Sequence, residues 1–111
     1  MAPEGDVFVE IVLQVNPFRG DRFEEAWLPS AEAALDYGAT YWALVRSHEG
    51  GLEFIQHAIF PTKLDFERYW YSEEIAEARA LASGLFQVPV LPTFHGIVGT
   101  GVVETTAPSA G

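Results

Sequence analysis

A chain of 111 residues with a formal charge of −10, 49% hydrophobic and 14% aromatic residues and no cysteine is expected to fold as one domain with a modest core and surplus apolar surface. Six scattered basic residues argue against nucleic acid and against an anionic membrane, both of which reward clustered Lys and Arg. The lack of cysteine excludes disulfides, thiolate catalysis and cysteine-ligated metal or iron–sulfur sites.

Met1 to Asp6 reads as a loose lead-in. No basic segment followed by an apolar run opens the chain, and no apolar stretch approaches the roughly 20 residues of a membrane span, so a cytoplasmic location is expected. Val7 to Val15 alternates strictly and predicts a strand, with Val7, Val9, Ile11, Leu13 and Val15 on one face and Phe8, Glu10, Val12 and Gln14 on the other. Asn16-Pro17 and Gly20 end it. Asp21 with Glu24 predicts a capping-box start for a helix running to about Tyr37, with Phe23, Ala26, Trp27, Ala31, Ala34 and Leu35 as its apolar stripe. Pro29 is expected to kink or split this helix, with Ser30 as a second cap, and Gly38 to close it in a left-handed conformation.

Ala39 to Ser47 and Leu52 to Phe60 predict two strands joined across His48-Glu49-Gly50-Gly51. Leu52, Phe54, Gln56, Ala58 and Phe60 are assigned to the helix-facing side. Trp42 and Leu44, with Phe8, Val12, Ile55 and Ile59, are assigned to the opposite face. Thr62 with Asp65 predicts the cap of a second helix, Ser72 a re-cap or bend within it, and Gly84 its end. Residues 84–92 form an apolar connector with two prolines. Thr93 to Val103 is expected to be the last strand, and residues 104–111 a disordered tail.

The order β-α-β-β-α-β predicts a ferredoxin-like α+β domain over 7–103, with a four-stranded antiparallel sheet and both helices on one face. The other sheet face is too apolar for water, and pairing with a second copy is expected to cover it, giving a homodimer.

Within that order, Trp70-Tyr71-Ser72-Glu73-Glu74-Ile75-Ala76-Glu77-Ala78-Arg79-Ala80-Leu81 resembles the second helix of the dimeric α+β barrel superfamily, in particular its antibiotic-biosynthesis-monooxygenase-like and polyketide-cyclase-like members. The resemblance implies a pocket between sheet and helices, a hydrophobic aromatic or polyketide-like substrate, and no cofactor. It places Gln56 at the strand amide of the cofactor-free monooxygenases, Phe60 and Phe66 where they carry a Trp and a Tyr, and Arg79 at their helix arginine. The axial histidine of the haem-degrading members is replaced at or near Arg79. The cyclase histidine is replaced by Ile75, although Tyr69 matches the tyrosine before it.

The candidate catalytic residues are therefore Arg79, His95 and Tyr69, with Gln56, Trp70, Phe66, Phe60, Phe54, Tyr41 and Trp27 as the substrate-binding set. Arg79 can stabilise a phenolate or enolate in a dry cavity, or simply snorkel to a neighbouring carboxylate or carbonyl. Gln56 is either a donor to a substrate carbonyl or one end of a structural hydrogen bond, with Tyr69 a possible partner. The aromatic residues can line a ligand cavity or pack as ordinary core. His95 becomes the general base if it faces the pocket, a point that Gly96, Gly99 and Gly101 leave open by interrupting the alternation. His57 shares a face with Glu53 and Ile55, and Glu10 is nearby. No metal is expected there, because the spacing matches no ligand motif. The leading functional expectation is a monooxygenase; the alternatives are a cyclase of the same fold and a non-catalytic small-molecule-binding barrel.

Overall fold

The computed structural model describes residues 6–50 and 52–103; the first five residues of the lead-in, Gly51 of the hairpin and the 104–111 tail lie outside the described residues. The alternation of the first strand produces β1 (Val7–Gln14) as predicted, with Val9, Ile11 and Leu13 buried and the intervening side chains more open. α1 (Gly20–Glu32) follows and gives way to a 3-10 turn (Ala33–Tyr37), β2 (Tyr41–Arg46), β3 (Glu53–Phe60), α2 (Lys63–Trp70), α3 (Glu73–Leu81) and β4 (Thr93–Gly96). The sheet is antiparallel in the order β2-β3-β1-β4, which is the ferredoxin-like arrangement. Val9, Ile11, Leu13, Phe54, Ala58 and Phe60 from the sheet form one buried cluster with Phe23, Trp27, Phe66, Tyr69 and Ile75 from the helices.

The caps of the second helical segment are where the sequence places them. Thr62 Oγ1 accepts from Asp65 N (3.1 Å) at the start of α2, and Ser72 Oγ accepts from Ile75 N (3.3 Å) at the start of α3. Ser72 thus divides the predicted helix in two, each half with its own N-cap. Gly38 closes the 3-10 turn at φ +100°, a conformation that a side chain would strain.

Four expectations fail, each for a local physical reason. Asp21 does not cap α1; Arg19 occupies the N-cap without a side-chain bond, and Asp21 instead accepts from Arg46 Nη1 across 2.8 Å, with Glu24 accepting from the same nitrogen. Pro29 does not split α1, and Ser30 is not a second cap. Its hydroxyl donates to the Trp27 carbonyl (2.7 Å) inside a continuous helix that tightens only at Ala33, and Leu35 turns toward solvent there. The last strand is four residues long, not eleven. Beyond Gly96 the chain leaves the ladder, and Val98, Val102 and Val103 stand almost fully exposed.

The fourth concerns β2. Trp42 pairs with Ala58, Leu44 with Gln56 and Arg46 with Phe54, so the Trp42 set faces the helices, while Tyr41, Ala43 and Val45 lie opposite Ile59, His57 and Ile55 on the outer face. Both faces of this strand are apolar, so its composition carries no inside–outside signal.

Candidate functional site

The interior centres on a closed circuit of hydrogen bonds. Trp27 Nε1–H donates to Gln56 Oε1 (2.9 Å), Gln56 Nε2–H donates to Tyr69 Oη (2.8 Å), and Tyr69 O–H donates to the Ser30 carbonyl (2.6 Å). Ser30 Oγ returns to the Trp27 carbonyl, so α1, β3 and α2 are tied through four side chains. Gln56 sits on the inner face because β3 alternation puts it there with Phe54 and Ala58. A buried amide must be satisfied, and Trp27 and Tyr69 satisfy it. Among the described residues no buried side-chain polar atom lacks a partner. Burial pushes the Tyr69 phenol up to about 12, so it stays protonated at neutral pH and acts there as a donor.

Phe54, Phe60 and Phe66 pack around this circuit. Phe23 meets Phe54 edge-on at 5.0 Å, and Phe60 lies 5.6 Å from Phe66 and 5.8 Å from Tyr69. Trp70 stacks on Phe66 at 5.7 Å, and Phe94 of β4 closes the row edge-on against Phe66 at 5.4 Å.

Outside the circuit, at the end of α3, a cleft of about 600 Å³ opens between Trp70, Arg79 and Ser83 on the helical side and Phe86, Val88 and Val90 on the connector. The connector is held to β1 by Asn16 N–H donating to the Leu85 carbonyl and Gln87 N–H donating to the Gln14 carbonyl, each at 2.8 Å. That anchoring turns Phe86 inward, where its ring packs edge-on against Phe23 (5.5 Å) and Trp27 (5.8 Å). Phe86 therefore separates the cleft from the Trp27–Gln56–Tyr69 circuit. The Arg79 guanidinium lies over the Trp70 ring, 4.4 Å from its centroid. Among the described residues no carboxylate comes within ion-pair distance of it, although 16 acidic residues are present in the chain. Of the expected alternatives, snorkelling to a neighbouring carboxylate is not what this side chain does.

The structure separates the three candidate catalytic residues. Tyr69 is in the buried circuit and Arg79 is in the cleft. His95 is opposite Phe8 in the β1–β4 register, on the outer sheet face, and shares neither environment. There His95 Nε2 and His57 Nε2 flank the Glu10 carboxylate at 3.4 Å and 3.5 Å. Tyr41, expected in the substrate set, is also on the outer face and 42% exposed, because the pairing of β2 turns it away from the helices. Among the described residues no three His, Asp or Glu side chains are placed to hold a metal ion. Phe86 also lines the cleft, and its one signal in the sequence is a large aromatic residue inside a connector.

The arrangement defines a ferredoxin-like α+β domain with an arginine-bearing apolar cleft between its helices and its last connector. No protein-family model and no curated protein matches the chain by sequence. Solved structures do match in fold. A Nitrosomonas europaea protein with a provisional antibiotic-biosynthesis-monooxygenase assignment superposes with a TM-score of 0.76 at 14% identity, over 84% of this chain and 99% of that one. SnoaB, a cofactor-independent oxygenase from Streptomyces nogalater, gives 0.73 at 13% identity, over 86% and 96%. Rv0793 from Mycobacterium tuberculosis gives 0.74 at 16% identity, over 88% and 100%. The chain shares its fold with these solved structures, among them an antibiotic-biosynthesis-monooxygenase-like protein and a cofactor-independent oxygenase.

Proposed function

We propose that this protein is a small cofactor-independent monooxygenase acting on a hydrophobic aromatic or polyketide-like molecule, as a cytoplasmic homodimer. The observation that carries this reading is Arg79, a cation stacked on Trp70 at the wall of an apolar cleft, with no carboxylate within ion-pair distance among the described residues. A cation so placed favours a ligand that combines a flat apolar body with a phenolate or enolate. Such an anion reacts with oxygen without a cofactor. Electron transfer and recombination form a carbon–oxygen bond and a hydroperoxide, and loss of water from a carbon that began as CH₂ leaves a carbonyl. Arg79 would hold the anion, and Trp70, Phe86, Val88 and Val90 would exclude water from it.

Among the described residues the cleft is lined by no imidazole and no carboxylate, so the substrate must be acidic enough to ionise beside Arg79. The same feature favours oxygenation over cyclisation, which asks the protein for a base to drive ring closure. One observation favours a non-catalytic binding barrel instead: the inner polar side chains Trp27, Gln56 and Tyr69 are already engaged with one another and with the Ser30 carbonyl.

Oxygen consumption by chelator-treated protein with a panel of polycyclic phenols and 1,3-dicarbonyls separates the readings. Uptake that is lost in Arg79→Ala while the fold is retained supports the oxygenase. Saturable quenching of tryptophan fluorescence without oxygen uptake would leave the binding barrel. The absence of both uptake and binding would remove the cleft from consideration.

A further inference from the structure

The outer sheet face carries a group that the cleft does not use. Glu10 of β1 lies between His57 of β3 and His95 of β4, with one carboxylate oxygen 3.5 Å from His57 Nε2 and the other 3.4 Å from His95 Nε2. Phe8 packs against both imidazoles, with ring centroids 4.8 Å and 6.0 Å away. Around this cluster the face is apolar, with Val12, Tyr41, Val45, Ile55 and Ile59 on it.

Among the described residues, every ionisable group on this face can be named. β1 contributes Glu10, with Asp6 just before it at the rim; β3 contributes Glu53 and His57, and β4 contributes His95. β2 adds only Tyr41, and residues 97–103 carry no charge. Glu53 already accepts from Gln14 Nε2 (2.9 Å), which leaves Glu10 as the carboxylate that the two imidazoles share. With neutral histidines the face has a charge of −3; with both protonated it has −1.

We propose that this face is a proton-controlled self-association surface, in which protonation of His57 and His95 around Glu10 tightens the contact with a second copy. The proposal rests on the homodimer reading given above. A second copy is the favoured occupant for two reasons. In a two-fold contact each face meets itself, so its unbalanced carboxylates repel at alkaline pH and are nearly neutralised when the imidazoles are charged. The area also fits. Strands about 4.8 Å apart with about 3.4 Å rise per residue, eight residues long in β1 and β3, six in β2 and four in β4, cover roughly 420 Å², short of the ~800 Å² that a stable partner buries. The exposed apolar segment Ile97–Val103, which leaves the sheet beside this face and walls a groove of about 1020 Å³ on it, supplies the remainder.

The linkage sign follows from which state binds protons. If association favours the charged imidazoles, the dimer holds more protons than two monomers, so it tightens as pH falls and loosens as pH rises. Sedimentation equilibrium of the full chain should give a dissociation constant at least about tenfold lower near pH 6 than near pH 8. His57→Asn/His95→Asn should still dimerise but lose that dependence, and His48→Asn, in the exposed hairpin, should keep it. Glu10→Gln should also flatten the profile. Should the double variant fail to fold, His95→Gln alone, at a half-exposed position, should reduce the pH ratio. A wild-type dimer of equal affinity at both pH values would overturn the proposal and leave the homodimer reading intact. A monomer at both pH values would overturn both, and would give the face to a different partner.

Discussion

Tyr69→Phe is the most direct test of how the interior is held together. The substitution removes one oxygen from a site with no solvent access and leaves the ring contacts with Phe60 and Phe66 in place. It also takes away the donor to the Ser30 carbonyl (2.6 Å) and the acceptor for Gln56 Nε2 (2.8 Å). Two buried polar groups lose a partner, each at about 1–3 kcal/mol, so the loss should total roughly 2–4 kcal/mol once local relaxation is allowed for. For a domain of 111 residues each kcal/mol lowers the melting temperature by about 4–5 °C, which places the expected drop at roughly 8–20 °C. Differential scanning calorimetry at neutral pH measures it. A double-mutant cycle with Gln56→Met should show coupling of about 0.5–3 kcal/mol, since the two side chains share one bond. A melting temperature unchanged within a few degrees would refute the claim that the circuit ties α1, β3 and α2 together.

The same phenol predicts an alkaline limit. Folded Tyr69 titrates near 12 because it is buried, against an ordinary 10 when unfolded, so above pH 10 the unfolded chain has released a proton that the folded chain keeps. Stability should therefore fall by about 2 kcal/mol between pH 10 and 12, and urea titrations should show that slope shrinking in Tyr69→Phe. Ser72→Ala removes the acceptor for Ile75 N at the start of α3 and should cost about 1 kcal/mol by denaturant titration, with Thr replacing Ser at little loss. Phe86→Ala should open the cleft toward Trp27, which iodide quenching of tryptophan fluorescence would detect as greater access. Val45→Glu, on the outer face where the residue is 45% exposed, should leave the unfolding free energy of the monomer within about 0.5 kcal/mol of wild type and abolish sedimentation as a dimer.

How far the sequence could be read depended on whether a residue's role was local. Thr62 and Ser72 were legible as caps because a cap bonds a backbone amide three residues away. Asp21 carried the same signature and failed, because Arg46, distant in sequence, offered it a charged partner that no local rule can see. Gln56 was legible as an anomaly, a polar side chain in an apolar register, but its two partners come from different helices. Arg79 was legible as a cation on a semi-buried helical face. Its stacking on Trp70 and the Phe86 wall opposite needed the connector to be tied back onto β1.

By itself the sequence determined the order of strands and helices, the inner and outer faces of β1 and β3, and the two helix starts after Pro61. Those follow from alternation, from periodicity and from bonds spanning three or four residues. Tertiary structure decided which face of β2 meets the helices, that His95 joins Glu10 and His57 rather than the cleft, and that Tyr69 completes a hydrogen-bond circuit. The physical reason is the same in each case. A strand's parity is set by its hydrogen-bond register with a neighbour, and where both faces are apolar, or glycine interrupts the pattern, only that distant pairing says which way a side chain points.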